Sequence, residues 1–267
     1  MRASAIARPR VGGGRGRVGW RKNSRVVRTR ANPLEDALAR ILPRELNEAR
    51  REMDFFDGPG GMLARVLPWS ARPTVRAPEV RSEDGVIFDF ARMDRRGFEG
   101  TFNALNDVVM GGASDAAVEL TSEGFARLAG ETEDVRGGFA SFKCRDFERA
   151  LDLSAYEGIK LTCRGDGKTY KVILYDTNDS FNVAFHQTFT CPKGEVGEVR
   201  LKFRDFVPVK RGRGVSKSDP EYRTTDGSKI VSMQFMLSKF AYGMEMKNPG
   251  YAPGPFEFEL RRVEAYK

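Results

Sequence analysis

Ile159-Lys160-Leu161-Thr162-Cys163-Arg164-Gly165-Asp166-Gly167-Lys168-Thr169-Tyr170-Lys171-Val172-Ile173-Leu174-Tyr175 is the stretch whose reading decides the fold. Ile159, Leu161 and Cys163 alternate with Lys160, Thr162 and Arg164. Tyr170, Val172 and Leu174 then alternate with Lys171, Ile173 and Tyr175. A period of two, with one apolar and one mainly polar face, marks half-buried antiparallel strands. Gly165-Asp166-Gly167 reads as a tight hairpin turn between them, since glycine accepts left-handed backbone without strain. The same alternation recurs over 181–186, 199–204, 231–237 and 256–261, with turn residues at Asn178-Asp179, Pro192-Lys193-Gly194 and Asp226-Gly227. Roughly eight such strands over about 180 residues predict an all-β sandwich or jelly roll. Pro208 to Ser228 is densely charged and reads as a surface loop.

Working back toward the N-terminus, the texture changes twice. Residues 57–85 hold Gly58, Pro59, Gly60, Gly61, Pro68, Pro73 and Pro78, the composition of a linker. Ahead of it Leu34, Leu38, Ile41 and Leu42 recur at helical spacing, with Asn32 as N-cap, Pro33 at the first helical position and Pro43 as a stop or kink. Leu46, Ala49 and Met53 extend the pattern. This helix packs on its own domain or serves a partner or membrane surface. Residues 1–31 carry nine Arg, one Lys and no acidic residue, with a flexible glycine run at 12–16. That composition suits an organelle targeting peptide, and no apolar core of a secretory signal is present. A disordered Arg/Gly nucleic-acid arm and a stretch outside the true reading frame are the competing readings. The division is therefore 1–31 targeting peptide, 32–85 helical extension and linker, and 86–267 sandwich domain.

The net charge of +8 belongs to that first segment, since the remainder has 35 basic against 37 acidic groups. A folded body close to neutral gives no support to direct nucleic-acid binding. No run of about 18 apolar residues is present, so no membrane helix is expected, while peripheral membrane contact stays open. Three widely spaced cysteines, Cys144, Cys163 and Cys191, form no CxxC pair and read as small core hydrophobes; whether Cys144 and Cys163 face one another in a sheet is left open by the sequence. The single histidine, His186, lies within a strand pattern, so a histidine triad or a histidine metal cluster has no partners. Asp166, Asp176 and Asp179 cluster near turns, where a glycosidase carboxylate pair or a loop calcium site competes with plain turn residues. An outer face bearing Tyr175, Asn182, His186 and Gln234 offers a sugar or peptide surface, or else an ordinary polar exterior. No catalytic residue, cofactor or metal site is assigned.

Six phrases in register resemble the complex I intermediate-associated protein 30 family. They are Asn106-Asp107-Val108-Val109-Met110-Gly111-Gly112-Ala113-Ser114, Gly137-Gly138-Phe139-Ala140-Ser141, Asp152-Leu153-Ser154-Ala155-Tyr156-Glu157-Gly158-Ile159, Arg164 to Tyr170, Phe203-Arg204-Asp205-Phe206-Val207-Pro208 and Gly254 to Leu260. The resemblance covers roughly 86–266 and implies a galactose-binding-like jelly-roll β-sandwich. It singles out Asn106, Asp107, Met110, Gly111, Gly112, Gly137, Gly138, Phe139, Ser141, Arg164, Gly165, Asp166, Gly167, Tyr170, Phe203, Asp205 and Phe206 as motif positions with a structural role. Phe102 stands where the family pattern expects a Trp, and a second expected Trp before Phe203 is absent. The implied function is a non-enzymatic assembly factor that binds protein subunits or intermediates of an organellar membrane complex, respiratory complex I (NADH:ubiquinone oxidoreductase) first. The family's home favours the mitochondrial matrix. A plastid factor for photosynthetic complexes and a carbohydrate-binding module remain the alternatives.

Overall fold

A computed structural model describes residues 74–134, 137–179, 182–225 and 227–267. The targeting reading over 1–31, the helical reading over 34–53 and the linker as far as residue 73 lie outside the described residues. In chain order the elements are β1 (Val86–Asp89), α1 (Arg95–Thr101), β2 (Phe102–Asn106), a 3-10 turn (Asp107–Met110), β3 (Asp115–Leu120), β4 (Ala126–Thr132), β5 (Phe139–Cys144), β6 (Gly158–Gly165), β7 (Thr169–Tyr175), β8 (Ala184–Thr190), β9 (Gly197–Lys202), a second 3-10 turn (Phe203–Asp205), β10 (Val207–Lys210), β11 (Arg213–Gly214), β12 (Ser232–Ser238), β13 (Phe240–Gly243), β14 (Met246–Lys247) and β15 (Gly254–Tyr266). Two antiparallel sheets face each other. One has the order β3-β4-β15-β6-β9, with β1 also paired to β15. The other has the order β11-β10-β8-β7-β12-β5-β2, and β13 with β14 forms a separate hairpin. This is the expected all-β jelly-roll sandwich.

The long strand β15 organises the first sheet. Its first half pairs with β4 from Gly254 to Leu260, and its second half pairs with β1 along the same edge. A bulge between Leu260 and Arg262 adjusts its register against β6, which bends the strand as bulges do. Phe258 of β15 points into the sandwich and stacks on Tyr170 of β7 at 4.9 Å between ring centroids. Phe142 and Phe235 of the opposite sheet stack at 5.1 Å and both lie within ring contact of Phe258. Phe88, Phe90, Phe98 and Phe102 extend this aromatic core toward β1. Phe102 is thus a core side chain. Residues 74–85 run along the sandwich: Val75 bridges Phe147, and Val75, Ala77 and Val80 pack against the core.

Several local readings are corrected. The Gly165-Asp166-Gly167 turn is not a hairpin, because β6 and β7 belong to different sheets and the turn carries the chain between them. Strands β7 and β12 are buried on both faces rather than one; the outer face of their sheet is covered by the β13–β14 hairpin and neighbouring loops. Part of 208–228 is strand, since Val207–Lys210 pairs with β8 and β11. Pro208 removes a ladder donor and argues against a strand, yet β10 borders only the two-residue β11 on one side, so the missing N–H costs little. Phe203 lies in a 3-10 turn rather than in β9. The neighbour of Cys163 is Cys191, with sulfurs 3.8 Å apart, while Cys144 sits beside Ser232. Helix α1 escaped the sequence reading because Gly97 and Gly100 fall within seven residues; its start is set by Asp94, whose side chain accepts from the Gly97 N–H at 2.6 Å.

Phe258 joins rings from both sheets, so truncating it leaves a cavity that neither sheet can close alone. Phe258→Ala is expected to lower unfolding stability by about 3–5 kcal/mol, read from urea denaturation midpoints.

Candidate functional site

The Asn106-Asp107 phrase closes one end of the sandwich around a single carboxylate. Asp107 is fully buried. Its Oδ1 accepts from the Ser114 backbone N–H at 2.9 Å, and its Oδ2 from the Ser114 hydroxyl at 2.7 Å. Oδ2 also accepts from the backbone N–H groups of Gly138 at 2.6 Å and Phe139 at 3.3 Å. A charge held by four donors is tolerated in the interior where an unpaired one is not. Two phrases separated by some thirty residues of sequence are therefore one site. The glycines follow from this: a Cβ on Gly112 or Gly137 would come within 2.4 Å of the Asp107 carboxyl group. Gly111 ends the 3-10 turn in left-handed backbone. Asn106 donates to the Ala116 carbonyl at 2.7 Å and ties β2 to β3. Met110 lies in the same short turn.

Against this end lies a cavity of about 440 Å³ on the outer face of the seven-stranded sheet. Its floor is built by strand alternation. Ile173, Gln234 and Lys143 share one register row, as do Lys171, Met236 and Ser141, and β8 adds Ala184 and His186. Phe139, Ile173 and Met236 form a small apolar cluster, separate from the main core, with Leu105, Tyr175 and Ala184 packed around it. A polar chain crosses the same floor: Tyr175 donates to Gln234 at 2.5 Å, Gln234 to the Ser141 hydroxyl at 2.8 Å, and Ser141 to the Leu105 carbonyl at 2.7 Å. Burial pushes the Tyr175 phenol above its ordinary range, so it stays a donor.

Lys171 is the unusual lining group. Its ammonium is buried and donates to the carbonyls of Phe240 at 2.9 Å and Ala241 at 3.2 Å, which pins β13 over the sheet. Loss of water around the amine lowers its pKa to about 7. Burial, and secondarily the nearby Lys171 charge, holds His186 well below the usual imidazole range, so its ring is neutral. Gly243 and Met244 at the hairpin end and Gly138, Lys239 and Arg211 complete the rim.

The remaining motif residues are distributed through the framework. Arg164 pairs with Glu259, and with Glu123 at 3.0 Å; its hydrogen bond to Glu259 raises its pKa further. Asp166 accepts from the Lys168 N–H and from the Tyr170 hydroxyl, each at 3.0 Å, locking the inter-sheet turn. Gly165 lies against Cys191, and Gly167 has φ of +85°. Phe203 and Phe206 are buried and Asp205 is exposed beside Arg204. Asp166 and Asp176 stand at opposite ends of β7, and Asp176 is held by both terminal nitrogens of Arg223, so these two do not form a carboxylate pair. Among the described residues no group of three or more His, Cys, Asp or Glu is gathered as a metal would need. No described helix is long and apolar enough to cross a membrane.

Of the four outer-face residues the sequence pointed to, Tyr175, Asn182, His186 and Gln234 all line the cavity. That face is a recess with an apolar floor, not an ordinary polar exterior. Lys171 was missed, because a lysine at an alternating position reads as solvated until the β13 hairpin is placed over it.

The sequence profile described as complex I intermediate-associated protein 30 matches residues 88–260. A comparison with curated protein sequences returns no match. Among solved structures, the family 11 carbohydrate-binding module of the cellulosomal cellulase Lic26A-Cel5E of Clostridium thermocellum is similar at 13% identity, over 71% of this chain and 96% of that one, with a TM-score of 0.47. The family 11 module of Clostridium thermocellum in complex with a β-1,3-1,4-mixed-linked tetrasaccharide is similar at 13% identity, over 68% and 95%, with a TM-score of 0.45. An exo-β-agarase is similar at 14% identity, over 68% of this chain and 25% of that one, with a TM-score of 0.39. These likenesses carry no functional weight.

Asp107→Asn replaces one acceptor oxygen by a donor amide facing N–H groups. It is expected to cost about 2–4 kcal/mol of stability and to speed amide exchange at Gly138 and Phe139, measured by hydrogen exchange. An ordinary lysine titrates near 10.5, so between about pH 7 and that value the unfolded chain holds a proton that folded Lys171 has released. The cost of burying the charge is full below about pH 7 and vanishes as pH rises through the window, so stability increases with pH there. Lys171→Met is expected to flatten this rise, compared with the parent chain by urea unfolding between pH 7 and 10.

Proposed function

We propose, for a chain that belongs to the complex I intermediate-associated protein 30 family, a non-enzymatic role as an assembly factor that holds subunits or intermediates of an organellar membrane complex. Respiratory complex I is the first candidate, and the mitochondrial matrix the first compartment. The observation that carries this reading is the extent of the family match, which runs from Phe88 to Leu260. That span contains the whole second sheet and the loops joined by Asp107. A holding role asks for a stiff surface, and the buried network at Asp107 supplies stiffness in loops that would otherwise move.

The contact surface we favour is the cavity rim. Met244, on that rim, and Met246, beside it at the tip of the β13–β14 hairpin, are 46% and 55% exposed. Large apolar side chains presented together near a recess mark interaction sites more often than isolated ones do, and methionine adapts to varied partners. A basic organelle-type leader at 1–31 supports import. A plastid factor shares these features and differs only in destination.

A C-terminally tagged chain, fractionated into mitochondria and plastids and resolved on native gels, is expected to run in a high-mass band shared with complex I subunits in the mitochondrial fraction. A plastid band moves the function to photosynthetic complexes, and a free monomer in both fractions overturns the assembly reading. Met244→Glu combined with Met246→Glu is expected to change unfolding stability by less than about 0.5 kcal/mol and to remove the chain from the high-mass band.

A further inference from the structure

We propose that the cavity on the outer face of the seven-stranded sheet binds a small amphiphilic anion, an apolar chain ending in one carboxylate or phosphate, with its head against Lys171 and His186. This goes beyond the assembly role and stands independently of it.

The first observation is a buried lysine amine that no anion meets among the described residues. The Lys171 ammonium has two backbone carbonyls as acceptors, and among the described residues no carboxylate pairs with it. An ammonium in the interior is costly unless an opposite charge meets it, and the two carbonyl dipoles supply only part of that compensation. The second is His186, which lines the same cavity and whose buried Nδ1 has no hydrogen-bond partner among the described residues. Buried ring nitrogens are ordinarily satisfied. A neutral imidazole carrying its proton on Nδ1 would donate to a ligand oxygen that also meets Lys171. Asp134, the one described acid on the lining, is already paired with Lys239 at 2.6 Å. The recess therefore has positive charge in excess at its base.

The third observation sets the rest of the ligand. Phe139, Ile173 and Met236 form an apolar floor outside the main core, and a wholly polar ligand would leave it without a covering. The volume of about 440 Å³ falls in the range of small-molecule sites, which combine mostly apolar walls with a few converging polar groups. A neutral oligosaccharide would leave the Lys171 charge unmet. An anion would favour the charged amine, so binding takes up a proton above neutral pH.

The test is calorimetric titration of the full chain near pH 7 with octanoate, octyl phosphate, octanamide and a β-glucan tetrasaccharide. One of the two anions is expected to bind at a single site, at least tenfold tighter than octanamide, and the tighter anion identifies the head group. Lys171→Met is expected to weaken that anion at least tenfold and to leave octanamide unchanged. Because this substitution also frees β13, Ala184→Phe provides a second variant that fills the floor while keeping Lys171; it is expected to abolish binding with the thermal melting point retained. Equal binding of octanoate and octanamide, saturation by the tetrasaccharide in place of the anions, or no saturable binding at all overturns the proposal. None of these results bears on co-migration with a membrane complex, so the two readings fail separately.

Discussion

The arrangement of this end of the protein depends on where the Asp107 carboxylate finds its donors. A buried carboxylate is among the least tolerated groups in an interior unless nearly all its acceptor capacity is used. Asp107 has no route to water, and its four partners come from two loops remote in sequence. Satisfying it fixes the 3-10 turn after β2, the entry to β3 and the start of β5 together. The adjoining Gly112 and Gly137 then have no freedom of their own, since each packs directly on the carboxyl group. Because β5 is a neighbour of β12 in the second sheet, the position of Phe139 and Ser141 on the outer face follows from the same contact.

The outer face is an example of one sheet serving two environments. Inward, Tyr170, Val172 and Leu174 meet the aromatic core; outward, Lys171, Ile173 and Tyr175 line a recess covered from one side by β13. A sandwich sheet normally keeps its second face wet. Here the covering hairpin desolvates a lysine and a histidine together, which displaces both from their ordinary titration ranges. Shifted groups clustered in a recess make it a candidate ligand site. The hairpin that builds the recess also carries the exposed Met244 and Met246, so one element shapes both the small-ligand recess and the apolar rim.

Strand identity was legible along most of the sandwich because alternation survives wherever one face meets the core. Ile159, Leu161 and Cys163 in β6, and Phe256, Phe258 and Leu260 in β15, occupy the buried positions their spacing indicates. Where both faces are covered, in β7 and β12, the pattern still named strands but misjudged their exposure. The Gly165-Asp166-Gly167 turn was legible as a turn and not as a crossover, since the local backbone of a turn does not record which sheet the next strand joins. The motif phrases contain the members of the Asp107 network, yet nothing in their spacing joined Asp107 to Gly138.

The sequence by itself determined the period of the strands, the near-neutral charge of the body and the family of the chain. These are local or compositional properties, carried by the nature and order of side chains. Only the tertiary structure decided that Asp107 bridges two loops, that Cys163 meets Cys191 rather than Cys144, and that Lys171 is buried with no carboxylate partner among the described residues. Each of those depends on which strands become neighbours and which hairpin folds over which face, and that outcome is settled by packing among segments scores of residues apart.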